Sequence, residues 1–219
     1  MILNTWALRC FGALGVLGAV LFICGDLLYN HVPSSQASAA AKMSKLPESR
    51  LLTAGTLGLI GCWFYTLGSL HTYLALRPVG EAYAFIFTLS FAAVMVCYGV
   101  SHTGYFAIAA GARTAMRNGS DAEAGGELGA RFFQRLVAIT YIPVAISMLM
   151  MLYGILSGRS LYPIWMVVFL PLFIYVLKKP VVSLLRGRLR ELVNDCYDNL
   201  PLLVFFVAST AVLWNAVVQ

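Results

Sequence analysis

The chain has 219 residues, of which 60% are hydrophobic and 11% charged, with a formal net charge of +6. Soluble domains carry about 25% charged and about 45–50% apolar residues, so this composition excludes an ordinary water-soluble fold. Six apolar stretches take up most of the length and leave no room for a separate soluble domain.

A bilayer core of about 30 Å needs about 20 apolar residues per helix. The stretches that meet this are residues 6–29, 51–76, 81–110, 132–156, 162–177 and 200–218, the fifth being short and interrupted by Pro163 and Pro171. Lipid offers no partner for bare backbone N–H and C=O groups, so all six are expected as helices. The expected fold class is all-α: a polytopic membrane helix bundle with six transmembrane helices and one interfacial amphipathic helix, in a single domain over residues 1–219.

No basic side chain precedes Arg9, and no small-x-small cleavage site followed by a polar domain occurs around Cys24–Asp26. The first segment is therefore expected to remain as a span. Pro33 should end it, and the small, polar run at 33–42 reads as flexible or as a short surface helix. Ser44, Pro47 and Glu48 mark the start of the second helix, with an acidic side chain in its positive first turn. The turn Arg77–Glu81 is short enough to make the second and third helices antiparallel neighbours. The Gly-rich, charged run at 111–128 is expected to be an exposed linker between two three-helix halves.

Residues 180–196 alternate differently. Val181, Leu185, Leu189, Leu192, Val193 and Cys196 recur at helical spacing, with Arg186, Arg188, Arg190 and Glu191 between them. That pattern predicts a helix lying along the membrane surface, drawn to anionic head groups.

Gly12, Gly15, Gly18 and Gly25 in the first segment have the same spacing as Gly55, Gly58, Gly61 and Gly68 in the second. Small residues let membrane helices approach closely, so these two are expected to pack on each other. Gly-faced helices also offer a surface for a homo-oligomer. Gly154 and Gly158 form a G-x-x-x-G of the same kind.

Orientation follows from the basic residues. Twelve (Lys42, Lys45, Arg50, Arg113, Arg117, Arg131, Arg135, Lys178, Lys179, Arg186, Arg188, Arg190) fall on one side of the zigzag, and three (Arg9, Arg77, Arg159) on the other. The expectation is a multi-pass protein of the cell (inner) membrane with both termini on the non-cytoplasmic side. The positive charge is then a topology signal, and no nucleic-acid partner is expected. The five cysteines are scattered without C-x-x-C spacing and are expected as free thiols.

Ionisable groups inside a bilayer are costly and are functional candidates by default. Asp26 lies about one turn from the end of the first helix, and Tyr98, Ser101, His102 and Tyr105 share one face of the third. Counting rise per residue puts His102 at the same depth as Asp26 and His31, and as Asn194, Asp195 and Asp198 before the last helix. His71 is roughly 20 Å away in depth and is expected in a local turn with Tyr73, Arg77 and Glu81. That separation excludes a three-histidine metal site and a bis-histidine haem. A mixed site from Asp26, His31, His102 and Asp195 or Asp198 lacks ligand spacing, and no span carries a lysine for a Schiff base. No metal and no cofactor is expected.

A serine, an aspartate and several histidines near the cytoplasmic leaflet resemble the membrane zinc hydrolases of the alkaline ceramidase and adiponectin-receptor type. Those have seven helices and a late H-x-x-x-H pair, whereas no histidine follows His102 here, so their residues are not carried over. The Gly-rich second helix and the run Gly99-Val100-Ser101-His102 are similar to an uncharacterised family of small bacterial six-helix multi-pass membrane proteins. That resemblance covers the whole chain and implies no activity.

The function expected from these residues is a polar pocket at the cytoplasmic leaflet that binds or processes a lipid or hydrophobic small molecule. His102 would be the acid or base, oriented by Asp26 or Asp195, with Tyr98, Ser101, Tyr105, Arg186 and Arg190 binding substrate. Two alternatives stand beside it. One is a small-solute carrier or channel, in which Pro143 and Pro171 break helices near the membrane centre. The other is an accessory subunit docking a larger membrane complex.

Overall fold

The structure is a computed structural model that describes residues 2–32 and 38–216. The expected stop at Pro33 and the last residues of the 200–218 span lie outside the described residues. The long helices are α1 (Ile2–Asn30), α3 (Glu48–Leu76), α4 (Glu81–Arg117) and α5 (Ala122–Leu156), with a short α2 (Ala39–Ser44) between the first two. They are followed by α6 (Pro171–Val176), α7 (Lys178–Leu184), α8 (Gly187–Cys196) and α9 (Leu200–Leu213). No strand occurs among the described residues, so the fold is an all-α bundle. Five helical stretches are long and apolar enough to cross a membrane: 5–30, 48–79, 81–117, 122–156 and 187–213. This is the architecture of a membrane protein.

The bundle is built on the α1–α3 contact. The two helices run antiparallel and meet through the glycines on both. A Cβ on Gly68 would lie 2.5 Å from the Cα of Gly15, and one on Gly18 would lie 2.8 Å from the Tyr65 backbone nitrogen. A Cβ on Gly25 would lie 3.0 Å from the Ala54 carbonyl oxygen. Backbone therefore rests on backbone along several turns, which is how membrane helices gain dispersion contact when lipid is as apolar as the partner.

Arginines tie the helix ends. Arg50, at the start of α3, donates to the Leu28 carbonyl at 2.7 Å and to those of Leu27 and His31 at 3.2 and 2.7 Å. These carbonyls lie at the C-terminus of α1, where a cation is favoured, and the one of Leu27 also accepts the His31 N–H at 3.1 Å. At the opposite end of the bundle Arg9 donates to the Trp214 carbonyl beyond α9 at 2.7 Å, and its guanidinium lies 5.0 Å from the Trp214 ring centroid. We call the end holding Arg50, Arg117 and Lys178 the basic end.

Five expectations need correction. The run at 111–128 is not a linker: α4 and α5 continue through it and close in the short turn Asn118–Asp121. A Cβ on Gly111 would overlap the Gly125 carbonyl, and one on Gly129 would lie 2.8 Å from the Ile108 nitrogen. These glycines form a second helix–helix seam, and only Gly119, at φ +72°, serves the turn itself. Of the pair Gly154 and Gly158 only the first lies at a helix contact, where a Cβ would come 2.7 Å from the Leu76 side chain; Gly158 sits at φ +68° just past α5 and ends it.

The third correction concerns 162–177, which is not one helix. Residues Ile164–Phe169 form a 3-10 turn, Leu170 is extended, and Pro171 opens the short α6. The stretch still joins the two ends of the bundle, because the Leu161 N–H donates to the Ala75 carbonyl at one end and Lys178 pairs with Asp198 at the other. The fourth is the helix at 180–196, which breaks at Leu185 and Arg186 before Gly187, at φ +55°, starts α8. Pro143 does not break its helix either, and α5 runs unbroken from Ala122 to Leu156.

The α1–α3 seam gives a direct expectation. Gly18→Ala should lower the melting temperature of the detergent-solubilised protein, since overpacking costs about 1–3 kcal/mol. Gly99→Ala, whose Cβ would meet nothing closer than 3.7 Å, should be neutral or stabilising. Equal melting of the two variants would show that the seam tolerates side chains.

Candidate functional site

An elongated cavity of about 410 Å³ lies between α4, α5, α6 and the start of α9. Along α4 it is lined from Phe91 to Tyr105, which corresponds to roughly 21 Å of helix. Its far part is apolar, walled by Phe91, Val94, Met95, Val144 and Met148, with Ser147 among them. Towards the basic end polar side chains enter the lining, Asp26, Tyr98, Ser101, His102, Tyr105, Tyr141, Tyr175, Asp198 and Asn199, beside the apolar Phe22, Phe133 and Val137.

The polar end is assembled from three directions. Asp26 is on α1, His102 on α4, and Asn199 in the 3-10 turn Tyr197–Asn199 that opens α9. Asn199 donates to the Asp26 carboxylate at 2.5 Å, the shortest link in the group. His102 Nε2 lies 3.4 Å from the other Asp26 oxygen, within ion-pair range but beyond a good hydrogen bond. All three residues are buried. Each therefore needs its partner, because an unpaired buried polar group costs about 1–3 kcal/mol.

The His102 ring is fixed by what surrounds it. Phe22 meets it edge-on at 4.3 Å between centroids, and Tyr29 and Tyr105 lie at 5.8 and 5.9 Å. Its Nδ1 faces Gly58 of α3, where any Cβ would overlap the ring, and its Cε1 faces Gly25. Two glycines of the seam thus form the seat of the imidazole.

Of the residues expected at the site, Asp26, His102, Tyr98, Ser101 and Tyr105 come together on this cavity. Ser101 spends its hydroxyl donor on the Cys97 carbonyl of its own helix at 2.9 Å. Asp195 is elsewhere: it accepts from His31 Nδ1 at 3.0 Å and does not reach the cavity, so it cannot orient His102. Arg186 and Arg190 are exposed beside and on α8, away from the cavity.

His71 also departs from its expected place. It donates from Nδ1 to the Leu8 carbonyl at 2.9 Å and is buried beside Tyr162 and Thr210, while Tyr73 and Arg77 alone hold Glu81. It stands thirteen residues of α3 from Gly58, roughly 20 Å, so the two histidines remain separate. Among the described residues no group of three His, Cys, Asp or Glu side chains is placed to hold a metal ion.

Sequence reading missed two contributors. Asn199 was legible as a lone polar residue directly before the apolar run of α9, but nothing local tied it to Asp26, 173 positions away. Gly58 was visible as a packing glycine; its second task as the histidine seat needed α4 in place.

A double-mutant cycle should separate these links. Coupling between Asp26→Asn and Asn199→Ala is expected at about 1–3 kcal/mol in reversible unfolding, with the coupling of Asp26→Asn to His102→Ala smaller. The reverse order would make the histidine the main partner of Asp26.

No curated protein and no solved structure matches this chain. A family model described as a family of unknown function, DUF6796, matches residues 4–216, and the chain belongs to that family.

Proposed function

We propose that this membrane protein holds an amphiphile, a lipid or lipid-like small molecule, with its tail between α4 and α5 and its head at Asp26, His102 and Asn199. The observation that carries the reading is the polarity gradient of the cavity. A volume of about 410 Å³ falls in the range of small-molecule sites. Its apolar part runs along the helices, and its few polar groups gather at one end, which is the layout an amphiphile requires. Counting basic residues puts that end at the cytoplasmic leaflet, level with lipid head groups.

Binding has more support than turnover. A general base must present a nitrogen to its substrate; Nε2 of His102 is directed at Asp26, and Nδ1, buried against Gly58, has no hydrogen-bond partner and no opening to the cavity. The carrier reading loses the break at Pro143, through which α5 runs unbroken, and keeps the one at Pro171.

The test is lipid retention. Protein purified from membranes in a mild detergent is extracted and its bound lipids are quantified by mass spectrometry. Wild type should retain one amphiphile class in near-stoichiometric amount. Val144→Trp, which fills the apolar part, should reduce it at least about fivefold while the protein still melts cooperatively. Identical lipid profiles for the two proteins would refute the proposal.

A further inference from the structure

We infer that the head group this cavity selects is an organic ammonium, as in a long-chain amine, and not a phosphate or carboxylate. The inference rests on the amphiphile reading above and adds the chemistry of the head.

Three observations support it. First, no Lys or Arg lines the cavity, whereas two carboxylates, Asp26 and Asp198, do. The nearby cation, Lys178, is spent on Asp198 at 2.8 Å on the outer side, which leaves the Asp26 charge to be met by His102 or by a ligand. Second, Asn199 is left with an unmatched acceptor. The amide nitrogen of Asn199 is used on Asp26, while its Oδ1 is buried without a partner in a residue only 4% exposed. A head that brings N–H donors suits the Asp26–Asn199 pair; an anionic head sets a like charge beside Asp26 and Asp198. Third, Tyr98, Tyr105, Tyr141 and Tyr175 line the cavity, and aromatic faces attract ammonium groups.

A second, polar pocket of about 220 Å³ at the basic end is lined by Tyr29, Asn30, Lys42, Asn194, Asp195 and Asp198, among others. Asp198 borders both spaces. It is the group a charged head would meet first on passing from water into the cavity.

The experiment compares two probes with one tail. Saturable binding of hexadecylamine and of hexadecanoic acid is measured by equilibrium competition, on the full chain in neutral-detergent micelles at pH 7. Hexadecylamine is expected to bind at least about tenfold more tightly. Asp198→Asn, a change at an exposed side chain, and Asn199→Leu should each lower that preference at least about threefold. Val144→Trp should abolish saturable binding of both probes. If the acid binds as well as the amine or better, and Val144→Trp still removes it, the head-group inference falls and the amphiphile reading stands. An amine preference unaltered by Asp198→Asn and Asn199→Leu also overturns the inference, because the seat would lie elsewhere. If neither probe saturates, or Val144→Trp changes nothing, the amphiphile reading falls and the inference goes with it.

Discussion

Two helices that leave out their side chains where they meet set the geometry of everything else here. In lipid no hydrophobic force draws one apolar helix to another, so association depends on contact that lipid cannot equal. The glycines of α1 and α3 supply it by letting backbone touch backbone, at Gly15 with Gly68 and at Gly18 with the Tyr65 backbone. The same omission creates small hollows where a third element can insert a ring. His102 of α4 occupies the hollow at Gly58 and Gly25, and Phe206 of α9 lies against Gly15 and Gly68. Packing and site are therefore one device, and a side chain added at Gly58 would also evict the histidine.

Polar groups inside the bundle obey the same constraint at two levels. Near the end away from the basic residues, His71 is tied to the Leu8 carbonyl among Tyr162, Thr72, Ser209 and Thr210, all buried. At the basic end, Asp26, His102 and Asn199 border open space. The difference lies in the covering chain. Tyr162 packs onto the bundle, whereas from Leu170 to Tyr175 the chain turns through an extended residue and a proline and forms a cavity wall. Irregular backbone at membrane depth is tolerated only where protein buries it or a cavity receives it. Pro163 and Pro171 thus account for the loss of a continuous helix here and for the presence of the cavity beside it.

Much of this was written in the sequence. Four long helices stand where apolar length placed them, α3 begins at Glu48 behind Pro47, and the paired glycine series foretold the α1–α3 contact. The depth count also brought Asp26 and His102 together and kept His71 apart. The failures share a cause. Gly111, Gly125, Gly126 and Gly129 look like linker residues because glycine and charge together mark loops in water, yet between membrane helices the same glycines mark contact. Asp195 and Asp198 were indistinguishable by depth, and only the turn into α9 directs one to His31 and the other to the cavity. Arg186 and Arg190 share a depth with the site but not its side of the bundle, which a count along the chain does not record.

Charge then divides between the outside and the inside of the basic end. The surface carries Arg113, Arg117, Arg188 and Arg190, a face suited to anionic head groups. The cavity a short distance away carries carboxylates and tyrosines. A phospholipid attracted to the surface would meet the opposite polarity on entering, so surface and pocket do not serve one ligand by one attraction. On the proposed reading the arginines hold the protein at the leaflet and the pocket discriminates against the lipids that gather there. Specificity of this kind needs a repulsive element as well as an attractive one. Asp26, held in place by Asn199 and backed by a histidine seated on glycine, is the group best fixed to supply both.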